Sequence, residues 1–219
     1  MKYIDQLEAH GPGVQRLIES KHQNRCHHAL LFCGPSGIGK KLAAKAFCQG
    51  VICEQAQEAP CGNCNPCRKV YEGIHPDVLI VGAEGRSETV KIASIRNIQT
   101  FLSKTRNEGS CSVVVIQDAD TMNAESQNAL LKVLEEPMPN VYFVLISDST
   151  ENMLETVLSR CHLIQFKTLN TEQLSKILGD SGFSDQEQRQ LMTLAEGSAG
   201  RAISIGRAGI GQTVPAILD

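Results

Sequence analysis

Residues 34–41 read Gly34-Pro35-Ser36-Gly37-Ile38-Gly39-Lys40-Lys41, which matches the phosphate-binding loop pattern G-x-x-x-x-G-K-[ST] except at its last residue. The glycines of this pattern let backbone N–H groups surround phosphate oxygens, the lysine reaches the terminal phosphates, and the final hydroxyl holds magnesium. Lys41 replaces that hydroxyl with an ammonium group, which has no lone pair and repels a metal ion. The sequence therefore predicts a nucleotide-type loop in which the binding of ATP with Mg²⁺ is in question.

The loop lies within an alternating pattern of strands and helices. Short runs rich in Val, Ile and Leu, without polar alternation, are typical of strands buried on both faces of a parallel sheet. These runs cover residues 29–33, 78–81, 113–116, 141–146 and 163–166. Helical spacing of apolar residues covers 40–53, 92–103, 123–136 and 152–158, and right-handed crossovers place such helices on both sheet faces. We predict an α/β fold with a five-stranded parallel sheet over residues 1–167.

A different pattern follows Lys167, where no further strand is predicted. The sequence Asn170-Thr171-Glu172-Gln173 is typical of a helix start, and 186–195 and 201–205 also have helical patterns. We predict a small all-helical second domain over residues 168–219.

Four cysteines cluster in the first crossover at Cys53, Cys61, Cys64 and Cys67. Four thiolates satisfy tetrahedral Zn²⁺, and Gly62 and Pro66 favour the tight turns that bring linked C-x-x-C steps onto one metal ion. The polar surroundings argue against a role in the core, so we predict a structural zinc module at about 53–67. An iron–sulfur cluster would use the same ligands and remains the alternative. The other five cysteines lie in or near apolar segments and are interpreted as packing residues.

Composition limits the remaining function classes. The net charge of −3 provides no overall basic field, so contact with nucleic acid would come from a local patch or a partner. No apolar run reaches the roughly 18 residues that span a bilayer, and residues 1–11 lack the apolar stretch of a secretory signal. We expect a cytoplasmic protein without membrane contact.

The third predicted strand ends in Gln117-Asp118-Ala119-Asp120. An ATPase needs a strand-end aspartate here for magnesium and an adjacent carboxylate to activate water. Asp118 fits the first role, whereas Ala119 occupies the second position. Asp120 is interpreted as a turn or helix-capping residue, with a displaced catalytic base as the alternative.

The stretch from Asn128 to Pro137 (NALLKVLEEP), followed by Ser159-Arg160-Cys161, closely resembles bacterial clamp-loader subunits of the AAA+ class. His75-Pro76-Asp77 and the four-cysteine insertion match the same family, and the resemblance covers nearly the whole chain. It implies a P-loop NTPase domain with a helical lid. It also implies a third, collar domain, which we expect to be absent from a chain that stops at Asp219.

The resemblance also implies partners: the gamma/tau and delta subunits of the DNA polymerase III clamp loader and, through the complex, the sliding clamp and primer-template DNA. It assigns Arg160 the role of an arginine finger that acts in trans on a neighbour's ATP, an interaction that stabilises charge on the transferring phosphoryl group. From the residues alone, the alternative is a cation at the C-terminal end of the 152–158 helix.

Gly200 occupies the place of the lid arginine that touches nucleotide in the motor subunits, and Ser147-Asp148 departs from the usual threonine. The leading hypothesis is thus a subunit without intrinsic ATPase activity that serves its neighbour. A gamma/tau-type ATPase is the alternative. A P-loop nucleoside or nucleotide kinase shares the loop but gives no reason for the zinc insertion.

Overall fold

The structure is a computed structural model and describes residues 1–83, 89–103 and 108–209. The predicted sheet of five parallel strands is confirmed. The strands are β1 (Ala29–Cys33), β2 (Val78–Val81), β3 (Ser112–Ile116), β4 (Val141–Ser147) and β5 (His162–Gln165). Their order is β2-β3-β4-β1-β5. The carboxyl ends of β3 and β4 are therefore adjacent, and the candidate acidic residues follow these two strands.

Helices cover both faces of the sheet. In the first part of the chain they are α1 (Gly11–His22), α2 (Lys40–Ile52), α3 (Asn65–Glu72), α4 (Ile92–Leu102), α5 (Ala124–Glu135) and α6 (Glu155–Leu158). On one face, Leu31 and Phe143 of the central strands pack in one buried cluster with Ile98 of α4 and Leu130 of α5. Successive residues of a strand point to opposite faces, and α2 covers the other face, where Phe47 meets Tyr142 edge to face with ring centroids 6.4 Å apart.

The expectation that all five strands are buried on both faces is wrong for the two edge strands. Ile80 in β2 is 41% exposed and Leu163 in β5 is 50% exposed, whereas every residue of β1 and β3 is buried. The strands β2 and β5 each have one neighbour in the sheet, so less of their surface is covered. An apolar run predicts a strand, but it does not distinguish a central strand from an edge strand.

The helix predicted for residues 152–158 is wrong in its first turn, because α6 begins at Glu155. The buried Gln127 of α5 supplies the reason. Its Nε2 donates to the carbonyl oxygen of Asn152 over 2.9 Å, and its Oε1 accepts from the N–H of Leu154 over 2.7 Å. These two bonds satisfy the backbone of the segment from a neighbouring helix, so the chain stays in a turn there.

The sequence patterns missed α1 and α3. Pro66 was predicted to favour a tight turn, and it lies instead in the first turn of α3, where a proline is tolerated. Gly62 does lie at a turn position, with a φ of 76°. Among the described residues, no helix is long and apolar enough to cross a bilayer.

The chain divides into two compact units. One contains residues 1–33 and 40–165, and the other contains 34–39 and, in its described part, 166–209. The second unit holds α7 (Thr171–Asp180), α8 (Asp185–Ala195) and α9 (Ala199–Arg207). Side chains of Asn170, Ser184 and Ser198 cap their first turns. The boundaries predicted from sequence, 1–167 and 168–219, stay predictions, and residues 210–219 lie outside the described residues.

Candidate functional site

Lys41, the residue that departs from the phosphate-loop pattern, makes an ion pair with Asp118. Its Nζ lies 3.0 Å from Oδ1 and 3.2 Å from Oδ2 of that carboxylate. Lys41 lies in the first turn of α2, and Asp118 follows β3. Lys41 stands in place of the hydroxyl that would bind magnesium, and Asp118 is the carboxylate predicted to bind it. The two side chains are paired with each other, so the ammonium group already supplies a cation to the carboxylate.

Lys40 is also paired with a carboxylate. Its side chain is 4% exposed, and its Nζ lies 2.8 Å from Oδ1 of Asp148, which follows β4. Asp120 accepts a hydrogen bond from the backbone N–H of Asp148 over 3.3 Å. With Ala83 and Thr121, the three aspartates line a cavity of about 400 Å³. Both lysines are therefore held by carboxylates at the ends of neighbouring strands.

The backbone around Asp118 turns sharply. Asp118 has a φ of 54°, which is uncommon for a residue other than glycine, and the chain passes directly into a 3-10 turn over Ala119–Thr121. The hydroxyl of Thr121 donates to the carbonyl oxygen of Asp118 over 2.7 Å and fixes this turn. Ala119 is fully buried. The position beside Asp118 therefore carries no group that could activate water.

Within the second unit, the loop residues 34–39 contact the start of α9. Ser198 Oγ donates to the carbonyl oxygen of Ser36, and the N–H of Gly200 donates to that of Gly37, each over 2.8 Å. Gly37 has a φ of 72°, and a Cβ on Gly200 would lie 2.8 Å from its Cα. Gly200 is thus in direct backbone contact with the loop at the position where the resemblance predicts the loss of the lid arginine.

Arg201, the next residue of α9, makes an exposed ion pair. Its Nη1 lies 2.6 Å from Oε2 of Glu196, so its charge is already paired. Both residues lie at the wall of a cavity of about 560 Å³ that is also lined by Pro35 and Ser204.

Arg160 follows α6, two residues beyond its last residue, Leu158. Its Nη1 donates to the carbonyl oxygen of Thr156 over 2.8 Å, and its Nη2 lies 2.8 Å from Oε1 of Glu135 in α5. The first contact is the helix-end interaction considered as the alternative role. The side chain is 34% exposed, so it remains accessible from solvent.

The four cysteines predicted to bind metal lie together. All four sulfur atoms are within 4.8 Å of one another, with 4.0 Å between those of Cys53 and Cys64 and 3.9 Å between those of Cys61 and Cys67. Zn–S bonds of about 2.3 Å in a tetrahedron separate the sulfurs by about 3.8 Å. The donor set and its spacing therefore fit a single tetrahedral metal ion.

Backbone N–H groups point at two of these sulfurs. Gln55 and Cys61 each donate to Cys53 Sγ over 3.4 Å, and Cys61 Sγ accepts from Asn63 over 3.5 Å and from Cys64 over 3.4 Å. Such bonds favour the thiolate that a metal ion requires. Two of them come from Gln55 and Asn63 and two from the ligand cysteines Cys61 and Cys64, so the loop itself supplies these hydrogen bonds.

The pKa values of the cluster reflect two opposing effects. Burial raises the pKa of Cys53 and of Cys67. Burial also acts to raise the pKa of Cys61, but the N–H groups of Cys64 and Asn63 lower it, and the balance is a pKa of about 7. Outside the cluster, burial raises the pKa of Cys48 to about 12, as expected of an inert packing thiol.

One residue near the cysteine cluster carried no signal in the sequence. Gln49 is fully buried in α2, and its side chain reaches the backbone of Cys67. A single glutamine in an amphipathic helix is ordinarily assigned to solvent, so a sequence pattern could not have identified it.

Comparison with known proteins adds a family. A profile of the family described as DNA polymerase III, delta subunit matches residues 10–170. The delta' subunit of DNA polymerase III from Bacillus subtilis is 33% identical over 197 residues, covering 90% of this chain and 59% of the relative. The tau subunit from Escherichia coli is 34% identical over 189 residues, covering 83% of this chain and 29% of the relative. The chain thus spans well under two thirds of the length of these relatives.

Solved structures agree on the fold. A DNA polymerase III gamma subunit-related protein from Thermotoga maritima has a TM-score of 0.60 at 20% identity, covering 89% of this chain and 57% of its own. The Holliday junction branch migration motor RuvB from the same organism has a TM-score of 0.55 at 16% identity, covering 90% of this chain and 60% of its own. At these identities the likeness concerns the fold alone.

Proposed function

This chain belongs to the DNA polymerase III delta-subunit family, among the delta' subunits of the bacterial clamp loader, and we propose that it serves there as a subunit that hydrolyses little or no ATP itself. In this role it presents Arg160 to the ATP of an adjacent gamma/tau subunit while the sliding clamp is loaded onto primer-template DNA. Gamma/tau and delta subunits are its proposed partners, and the cytoplasm is its proposed location.

The ion pair between Lys41 and Asp118 is the observation that carries the first part of the proposal. Magnesium bridges the β- and γ-phosphate oxygens in ATP hydrolysis and neutralises the charge that develops there. In this chain the ammonium group of Lys41 lies about 3 Å from both oxygens of Asp118, the carboxylate that would help to hold magnesium. Ala119 removes the adjacent carboxylate as well, so metal binding and water activation are weakened at separate residues.

A purified-chain assay tests this part. We expect no magnesium-dependent ATP turnover above a no-protein blank. Turnover that requires magnesium and is lost in Lys40→Ala would instead favour the second candidate, a gamma/tau-type ATPase. That candidate is favoured by the 34% identity to the tau subunit and by the retained loop glycines and Lys40.

The finger role of Arg160 is supported by its exposure and by the weakness of the contacts that hold it. A partly exposed ion pair such as that with Glu135 contributes at most about 1 kcal/mol. An arginine on a transferring phosphoryl group is worth roughly 10³ to 10⁵ in rate where such fingers have been measured. Exchanging Glu135 for a neighbour's phosphate oxygens is therefore energetically accessible.

Arg160→Ala in a loader assembled with its partner subunits should lower DNA-stimulated ATP hydrolysis by at least tenfold. Arg189→Ala is a matched control, because Arg189 also donates to a carbonyl oxygen four residues earlier, that of Asp185, on an exposed helix. A tenfold loss in Arg160→Ala with a normal rate in Arg189→Ala supports the finger. Equal rates in both variants would remove it from the proposal.

We also propose that the four-cysteine cluster holds structural zinc. Four protein ligands leave no open position for a reacting water, and a zinc ion supplies folding free energy to such a module without redox chemistry. An iron–sulfur cluster places several irons and sulfides between its ligands and needs sulfurs farther apart than the 4.8 Å seen here. Metal analysis of the purified protein should find one zinc per chain and no iron; iron with a visible chromophore would select the alternative.

A further inference from the structure

The side chain of Gln49 in α2 makes hydrogen bonds to two other segments of the chain, residues 1–3 and α3. Its Nε2 donates to the carbonyl oxygen of Cys67 and to that of Met1, each over 2.9 Å, and its Oε1 accepts from the N–H of Tyr3 over 3.0 Å. The residue is 0% exposed. Both amide protons and the amide oxygen are therefore used, and one of the three bonds goes to the backbone of a metal-ligating cysteine.

Residues 1–3, which we call the N-terminal strap, contact Gln49 and also lie against the cysteine cluster. A Cβ on Gly62 would lie 3.2 Å from the carbonyl oxygen of Met1 and 2.8 Å from Cγ of Lys2, so the strap passes directly over the turn between Cys61 and Cys64. The Tyr3 ring stacks on Tyr71 of α3 with centroids 4.8 Å apart. The strap thus touches the module at its turn and at its helix.

A further bond closes this arrangement, because the Tyr3 hydroxyl donates to the carbonyl oxygen of Tyr71 over 2.8 Å. The helix α3 carries both Cys67 and Tyr71. It is therefore held at its first turn by Gln49 and at its last turn by Tyr3. The orientation of Cys67 Sγ toward the other three sulfurs depends on the position of this helix.

We propose that Gln49 is a positioning residue for the metal centre, and that it and the N-terminal strap together keep the metal ion bound. The inference rests on the proposed metal centre. Gln49 fixes the carbonyl of Cys67, which orients that ligand, and fixes the strap, which keeps water from the turn that carries Cys61. Residues that orient metal ligands from outside the coordination sphere typically contribute about 10- to 100-fold to metal affinity.

The chain contains a matched control. Gln127 is 2% exposed, and its Nε2 donates to the carbonyl oxygens of Met122 and Asn152 while its Oε1 accepts from the N–H of Leu154. Its bonds have the same number and kind as those of Gln49, but none goes to the cysteine module. A purely structural role for Gln49 predicts that Gln49→Leu and Gln127→Leu have the same consequences.

The experiment compares zinc-loaded wild type, Gln49→Leu and Gln127→Leu, each as the full chain. Zinc release is followed with a chromogenic chelator, the cobalt-loaded proteins are compared by visible spectroscopy, and thermal unfolding is measured with and without metal. We expect release to be about 10- to 100-fold faster in Gln49→Leu, with an altered thiolate–cobalt spectrum. Gln127→Leu should lower the melting temperature but release zinc at the wild-type rate.

Tyr3→Ala extends the test and replaces Gln49→Leu if that variant does not fold. It removes the Tyr71 contacts at the protein surface while leaving the Gln49 amide in place, and it should also speed zinc release. The inference is overturned if Gln49→Leu and Tyr3→Ala release zinc at the wild-type rate, or if Gln127→Leu releases zinc as fast as Gln49→Leu does. Neither outcome contradicts the proposed metal centre itself. Absence of bound metal in the wild type overturns both the inference and the proposed metal centre.

Discussion

Replacing Lys41 with threonine should restore a response to magnesium. The ammonium group lies 3.0 and 3.2 Å from the two oxygens of Asp118, and the two side chains are 53% and 37% exposed. In water, two unit charges 4 Å apart interact by about 1 kcal/mol, so a divalent ion placed next to Lys41 is repelled by about 2 kcal/mol. Salt weakens this repulsion, because the screening length is about 8 Å at physiological ionic strength.

The expected result is a magnesium affinity of the nucleotide-bound protein roughly 10- to 30-fold higher in Lys41→Thr than in the wild type, since about 1.4 kcal/mol corresponds to tenfold. Calorimetric titration of ATP with and without magnesium measures it. Lys41→Met removes the charge without adding an oxygen, so it should recover the electrostatic part alone. The exposed ion pair contributes little to folding, so melting temperatures should stay close to that of the wild type.

This reasoning is refuted if Lys41→Thr binds ATP as the wild type does, with or without magnesium, because the ion pair is then not what limits the site. It is also refuted if Lys41→Met gains no affinity for magnesium, because removal of the charge alone should recover the electrostatic gain. Any additional gain in Lys41→Thr over Lys41→Met measures the contribution of the hydroxyl. A turnover rate in Lys41→Thr is not expected, because Ala119 still leaves the position next to Asp118 without a carboxylate to activate water.

Three further predictions concern the metal, the pH dependence and the loop. Burial raises the pKa of Cys53 and Cys67, so both thiols carry protons in the metal-free protein at pH 7. Zinc binding should release these protons, and calorimetric zinc titrations in buffers of different ionisation enthalpy should detect the release. A binding enthalpy that is the same in all buffers would contradict this prediction. Burial lowers the pKa of His22, His28 and His75, so the unfolded chain takes up protons near pH 6.5 before the folded one does. The free energy of unfolding, measured in urea, should therefore keep its whole histidine contribution above pH 6.5 and decrease as the pH is lowered below 6.5. An unchanged free energy of unfolding at pH 5.5 would count against these pKa shifts. Gly200→Ala places a Cβ 2.8 Å from Gly37 Cα and should cost about 1–3 kcal/mol, whereas Gly13→Ala, with no atom within 4 Å, should not destabilise; equal melting temperatures would disprove the close contact.

Much of the fold follows from local sequence patterns. The five apolar runs correspond to the five strands within one residue at each end, and Asn170 and Gln173 form the helix start that their spacing predicts. The helix predicted over 152–158 is absent in its first turn, because the side chain of Gln127 in α5 makes hydrogen bonds to the backbone groups there. Tertiary hydrogen bonds of this kind leave no trace in the spacing of the segment that receives them.

The sequence by itself determined the P-loop NTPase fold class, the four-cysteine cluster and the missing hydroxyl and carboxylate at Lys41 and Ala119, because each is a matter of residue type at a fixed spacing. Only the tertiary structure decided what the substituted residues contact. It pairs Lys41 with Asp118, 77 positions away, and it brings Gln49 to the carbonyl of Cys67. Such pairings depend on which strand ends are adjacent and which helix covers the module, and strand order and helix packing arise from the folded chain as a whole.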